Sequence, residues 1–179
     1  MSYQPKSKCR RFEYRVTKYD ISYRRLAGLN ANNEFSTGIY TRNEWTSVSD
    51  IGRSFDGVIL TPDEYQRVED AYVAVAISFL KESRLSAVTV DGLENSEFCP
   101  IPLEEGMTID IRNLPEVVRL ILQEKVWCRL ISQKTFLHFG YDYYMFVGVS
   151  LECPKSKQLA RNLGLFVESF KSPYKGRLD

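Results

Sequence analysis

The sequence contains a single histidine, His138, in 179 residues. That scarcity removes most catalytic and metal-binding constellations, which draw on imidazole as base or ligand. Cysteine adds little. Cys9, Cys99, Cys128 and Cys153 stand far apart, with no C-x-x-C pair and no finger or ribbon spacing. Neither G-x-G-x-x-G nor G-x-x-x-x-G-K-[ST] occurs, so no glycine-rich loop is available to cradle a phosphate. No apolar run reaches the ~20 residues that a membrane-spanning helix requires. The basic N-terminus MSYQPKSKCRR has no apolar run behind it and does not read as a secretory signal. The four thiols are therefore expected to be reduced and packed as small hydrophobes, and the expected address is the cytoplasm.

Charge of one sign is missing locally. Overall the chain is balanced, with a formal net charge of +1, so no global field recruits nucleic acid or membrane. Lys6, Lys8, Arg10, Arg11, Arg15, Lys18, Arg24 and Arg25 crowd the N-terminal part. From Leu85 to Ile111 there is no Lys or Arg, while Asp91, Glu94, Glu97, Glu104, Glu105 and Asp110 are all present. The segment also carries Pro100 and Pro102 and reads as loop-rich. Such a stretch is either an ordinary solvated loop or a surface that attracts a basic partner and speeds its encounter.

What the chain has in quantity is aromatic side chains, 11 Tyr and 10 Phe, which suit half-buried sheets and contact surfaces equally well. It also has one segment where several local signals agree. Thr61 is placed to cap a helix, Pro62 occupies the first helical position, and Glu64 can complete a capping box. Tyr65, Val68, Tyr72, Val75, Ala76 and Phe79 then recur at helical spacing and define one buried face of a helix reaching toward Arg84. Glu69 and Asp70 fall off that face and read as solvated charge.

Around this helix the pattern is mostly β. Alternation from Cys9 to Ser22 predicts a strand, followed by a turn-rich stretch from Ala27 to Asn43 with a short strand near Gly38–Tyr40. Short β runs follow at Ala87–Val90 and Met107–Ile111. Asn113 and Glu116 frame a second capping box, and Val117, Val118, Leu120, Ile121 and Leu122 predict a helix buried on most sides. Val126–Ile131, Phe136–Phe139 and Tyr143–Ser150 are apolar strands. Gly140-Tyr141-Asp142 is compatible with a hairpin or with one long bent strand. Pro154 opens a last helix through Asn162, Gly164 can cap it, and Phe166–Phe170 is a final strand. The expectation is a single α+β domain over residues 1–179, with helices packed on one main, largely antiparallel sheet of roughly five to seven strands. Residues 1–8 and 172–179 are expected to fray.

Three chemistries can be written on these residues. His138 can pair with Cys128 as base and nucleophile, or with Asp142 as a dyad. The sequence supplies no nucleophile elbow or oxyanion hole at recognisable spacing, and a half-buried sheet histidine is the simpler account. A nucleic-acid-binding module would use Arg10, Arg11 and Arg15 on phosphates and Tyr141, Tyr143 and Tyr144 as stacking platforms. A protein-binding surface would use the acidic segment.

Trp45, Asp50-Ile51-Gly52, Phe55, Gly57, Leu60-Thr61, Glu64-Tyr65, Val68-Glu69 and Tyr72 together resemble a pattern of bacterial immunity proteins, encoded beside polymorphic toxins of the contact-dependent growth inhibition type. The similarity covers about a quarter of the chain. It implies a cytoplasmic protein that is not an enzyme, needs no cofactor or metal, and occludes the toxic C-terminal domain of a cognate effector, often a nuclease. Contact residues vary among such proteins, so the resemblance assigns none. A nuclease presents cations where it grips phosphate, and an inhibitor gains from carboxylates facing them. That points to Asp91, Glu94, Glu97, Glu104, Glu105 and Asp110 as partner-binding residues, with Tyr141, Tyr143 and Tyr144 as anchors. The near-neutral net charge departs from a strongly acidic nucleic-acid mimic and leaves local complementarity as the mechanism.

Overall fold

Helix α1 (Pro62–Glu82) forms where its local signals place it. Thr61 Oγ1 accepts the Glu64 N–H at 3.2 Å. The other half of the expected capping box does not form, because the Glu64 carboxylate instead takes two 2.7 Å hydrogen bonds from Arg67 one turn along. A reciprocal box does close upstream, at the 3₁₀ turn Val48–Asp50, where Ser47 and Asp50 satisfy each other's backbone N–H groups. All six residues of the predicted apolar face of α1 are buried. Phe79 is 0 % exposed, which alone contributes about 1.5–3 kcal/mol of burial.

The computed structural model describes residues 12–24, 40–95, 97, 99–133, 135–140 and 142–173. The expected beginning of the first strand at Cys9, the expected short strand before Tyr40, and residues 174–179 lie outside the described residues. Nine strands are described: β1 (Phe12–Thr17), β2 (Ser54–Phe55), β3 (Val58–Ile59), β4 (Ala87–Glu94), β5 (Thr108–Asp110), β6 (Trp127–Ile131), β7 (Phe136–Phe139), β8 (Met145–Val149) and β9 (Phe166–Ser169). Seven of them make one sheet in the order β5-β4-β6-β7-β8-β1-β9, and every neighbouring pair is antiparallel. The expected α+β domain with a largely antiparallel sheet is what is found. β7 and β8 are a hairpin, so the bent-strand alternative falls away. β2 and β3 form a separate small hairpin whose turn residues Asp56 and Gly57 both have positive φ, +48° and +84°.

Helix α2 (Leu114–Leu122) and helix α3 (Pro154–Asn162) both pack against α1. The second expected capping box is absent. Asn113 has helical backbone angles (φ −94°, ψ −11°) and makes no side-chain cap bond, since an N-cap side chain reaches the free N–H groups from extended backbone. Gly164 follows α3 at φ +79°, as expected.

Alternation along the strands gives the sheet two different faces. Toward the helices point Tyr14, Val16, Val90, Leu130, Leu137 and Val147, which join the apolar cluster around α1. On the opposite face His138 stacks on Phe136 with ring centroids 5.3 Å apart. Arg15 pairs with Glu168 at 3.0 Å, and its guanidinium lies over the rings of Phe170 (4.3 Å) and Tyr144 (5.0 Å). Ser172, within the tail expected to fray, donates its N–H to Glu13 at 3.1 Å, and its hydroxyl sits 2.8 Å from His138 Nε2.

Candidate protein-docking surface

The acidic segment divides into two kinds of carboxylate. Asp91 lies opposite Arg129 in the β4–β6 ladder and forms an ion pair with it. Asp110 accepts the Arg112 side chain at 2.8 and 2.9 Å and the Arg112 N–H at 2.8 Å, and these bonds lower its pKa to about 2. Glu105 accepts the backbone N–H groups of Leu93 (2.8 Å) and Gly92 (3.0 Å), which lower its pKa as well. The expectation of an uncompensated acidic run is therefore corrected at these three positions. Arg112 directly follows the run and turns back on Asp110 two residues away, whereas Arg129 is remote in sequence and is brought to Asp91 by the β4–β6 pairing. Glu94, Glu97 and Glu104 are exposed, and their carboxylates make no ion pair or hydrogen bond among the described residues.

Glu94 owes its position to a bulge. Asp91 faces Arg129 and Glu94 faces Trp127, so three steps along β4 match two along β6, with Gly92 at φ +67° absorbing the extra residue. This sets Glu94 at the mouth of a cavity of about 240 Å³. Ile121 and Leu122 at the end of α2 line it, together with Glu124, Val126 and Trp127 beyond that helix. Phe139, Gly140 and Tyr143 from the β7–β8 turn complete the far side, and Asn95 follows Glu94 at the rim. The walls are fixed from behind. The Trp127 indole donates to the Phe139 carbonyl at 3.0 Å. Tyr143 packs edge-on against Trp45 and Tyr72, and its hydroxyl donates to the Tyr65 hydroxyl at 2.7 Å. Burial raises the pKa of both phenols, which stay neutral.

Behind that wall stands Glu69, 0 % exposed. Arg119 (2.7 Å), Gln123 (2.8 Å), Gln66 (3.1 Å) and the Tyr65 hydroxyl (3.3 Å) all donate to it. The expectation of solvated charge at Glu69 is overturned, because α2 lies across this part of α1 and brings both Arg119 and Gln123 to the carboxylate.

Neither family model, nor curated protein, nor solved structure matches this chain. What the site can do rests on its own residues. The residues that resemble the immunity-protein pattern hold structural posts here. Trp45 packs on Tyr65, and the Asp50 carboxylate accepts from Thr46, Ser47 and Arg53.

The aromatic anchors separate. Tyr143 is buried at 3 % exposure, so it forms a wall and does not project toward a partner. Tyr144 turns to the opposite sheet face, against Tyr19 and Arg15. Tyr141, Arg10 and Arg11 lie outside the described residues. Arg15, at 5 % exposure and paired with Glu168, is not displayed to a phosphate. The nucleophile–base pairing of Cys128 with His138 is ruled out by geometry. The register Leu130↔Leu137 puts Cys128 on the helix side and His138 on the other face. Burial pushes the Cys128 thiol up to about 12. Burial, with nearby Arg129 adding to it, lowers His138 to about 4. Asp142 is exposed in the turn. No His, Cys, Asp or Glu cluster among the described residues is set to hold a metal, and no helix among them is long and apolar enough to cross a membrane.

Of the residues that line this cavity, the sequence pattern singles out Glu94 and Tyr143 and not Trp127, Glu124 or Asn95. Glu124 follows the apolar run of α2, but nothing local says that it will line the same cavity as Glu94.

Proposed function

We propose that this chain is a cytoplasmic immunity protein that binds and neutralises a cognate toxin domain, a nuclease foremost, by stoichiometric occlusion. It acts by surface fit and makes or breaks no bond. Two independent lines support the reading: the resemblance carried by Trp45 through Tyr72, and the surface around β4. The observation that carries it is Glu94, exposed and unpaired among the described residues, at the mouth of an aromatic cavity beside a half-exposed Trp127. An aromatic anchor site flanked by free carboxylates is the composition expected where a basic partner docks. Glu97 and Glu104 extend the negative field without local neutralisation.

Co-expression with the C-terminal domain of the secreted protein encoded immediately upstream tests the proposal. A stable one-to-one complex, with loss of toxicity in cells, is the expected result. Failure of the purified pair to co-elute overturns it.

A further inference from the structure

The cavity between β4, α2 and the β7–β8 turn has a composition that selects its occupant. Its volume, about 240 Å³, falls below the roughly 300–1,000 Å³ of pockets that enclose whole small molecules and suits a single side chain. Trp127, Phe139 and Tyr143 supply aromatic surface, and Ile121, Leu122 and Val126 supply aliphatic surface. Glu94 and Glu124 are both exposed, and no Lys or Arg lines the cavity among the described residues.

The backbone around it is held in conformations that side chains other than glycine rarely adopt. Asn95 (φ +59°), Glu124 (φ +59°) and Tyr143 (φ +57°) all line the cavity and make up half of the six positive-φ non-glycine residues described. For an aromatic residue such as Tyr143 this region is a true outlier. Glu124 takes this region as the residue that ends α2, where the Lys125 N–H donates to the Leu120 carbonyl, and asparagine adopts it readily. The strain at the cavity is therefore that of Tyr143, held where the surrounding structure over-determines it.

We propose that this cavity receives a basic side chain of a protein partner, arginine foremost. A guanidinium can lie against the Trp127 ring while its edge pairs with Glu94 and Glu124. The aliphatic stem then runs along Leu122 and Val126. An apolar occupant would strip water from the two carboxylates and return nothing to them, whereas a cation compensates both. That the side chain belongs to a toxin domain rests on the function proposed above; the preference for a guanidinium rests on the cavity alone.

The test titrates the isotope-labelled protein with acetyl-arginine N-methylamide and follows the indole N–H signals of Trp127 and Trp45, assigned with a Trp127→Phe variant. The Trp127 signal is expected to move saturably while that of Trp45, in the core, stays in place. Acetyl-citrulline N-methylamide and acetyl-leucine N-methylamide should bind at least about tenfold more weakly, and the Glu94→Gln/Glu124→Gln double variant should lose the arginine preference. Both changes are at exposed positions, and an unchanged spectrum elsewhere shows that the fold is retained. Equal or tighter binding of the leucine or citrulline analogue overturns the proposal, as does the absence of any saturable shift. Failure to bind the upstream toxin while arginine still saturates the cavity sinks the function and spares the site. Toxin binding without an arginine response does the reverse.

Discussion

Arg119 of α2 reaches across to Glu69 of α1 and closes a 2.7 Å ion pair on a carboxylate that has no contact with solvent. The same guanidinium also pairs with Asp70 at 2.5 Å, at the exposed margin of the contact. Glu69 is thereby the shared acceptor that ties α1 to α2, whose C-terminal end lines the docking cavity through Ile121 and Leu122. Its members depend on each other: removing one leaves buried polar groups without partners.

Glu69→Ala is therefore expected to destabilise the fold by about 1–3 kcal/mol, since it removes the shared acceptor of Tyr65, Gln123 and Arg119, of which Arg119 keeps Asp70. Urea unfolding of the variant measures this. Asp70→Ala, on the exposed side of the same arginine, should lie within about 1 kcal/mol of the parent.

His138 gives stability a pH dependence of known sign. Burial lowers its folded pKa from 6.5 to about 4, so below pH 6.5 the unfolded chain binds a proton that the folded chain refuses. Its contribution is complete above about pH 6.5, is lost progressively as the pH falls toward 4, and amounts to about 3 kcal/mol over that window. Urea midpoints at several pH values should show a shallower acid slope for His138→Gln than for the parent. The same variant should still protect cells, because an occluding protein does not use the imidazole.

The two kinds of carboxylate separate kinetically. Reversing Glu94, Glu97 and Glu104 together to Lys should slow toxin association by about tenfold or more and flatten its salt dependence, with the melting temperature unchanged. Asp91→Asn and Asp110→Asn should change the association rate much less, because each charge is already answered by an arginine. Stopped-flow mixing over a salt series distinguishes the two groups.

Gly148 faces Phe136 across the β7–β8 ladder, and a Cβ on it would lie 2.2 Å from a ring carbon of Phe136. Gly148→Ala should cost about 1–3 kcal/mol through overpacking. Combining it with Phe136→Leu should cost less than the sum of the two, which a double-mutant cycle by chemical denaturation will show.

Cys128 and Cys153 are fully buried with raised thiol pKa values, whereas Cys99 is half-buried. In a Cys9→Ser background, Cys99 should react with a disulfide reagent at pH 8 well ahead of the other two, which wait for unfolding. Mass spectrometry of the modified protein gives the order.

What could be read from the residues in order was whatever depends on near neighbours. The Thr61 cap, the α1 apolar face, the turn at Gly164 and the strand runs are short-range patterns, so the α+β class and most elements followed from spacing alone. The expected capping boxes failed for a local reason as well, since Arg67 competes for Glu64 and Asn113 has helical backbone. Long-range pairing decided the rest. Asp91 meets Arg129 only because β4 and β6 are partners, Glu69 becomes buried only because α2 crosses it, and Tyr143 and Tyr144 part company at a turn. Side-chain chemistry is carried by the sequence, but solvent and partners are assigned by packing, and packing joins residues that no local pattern connects.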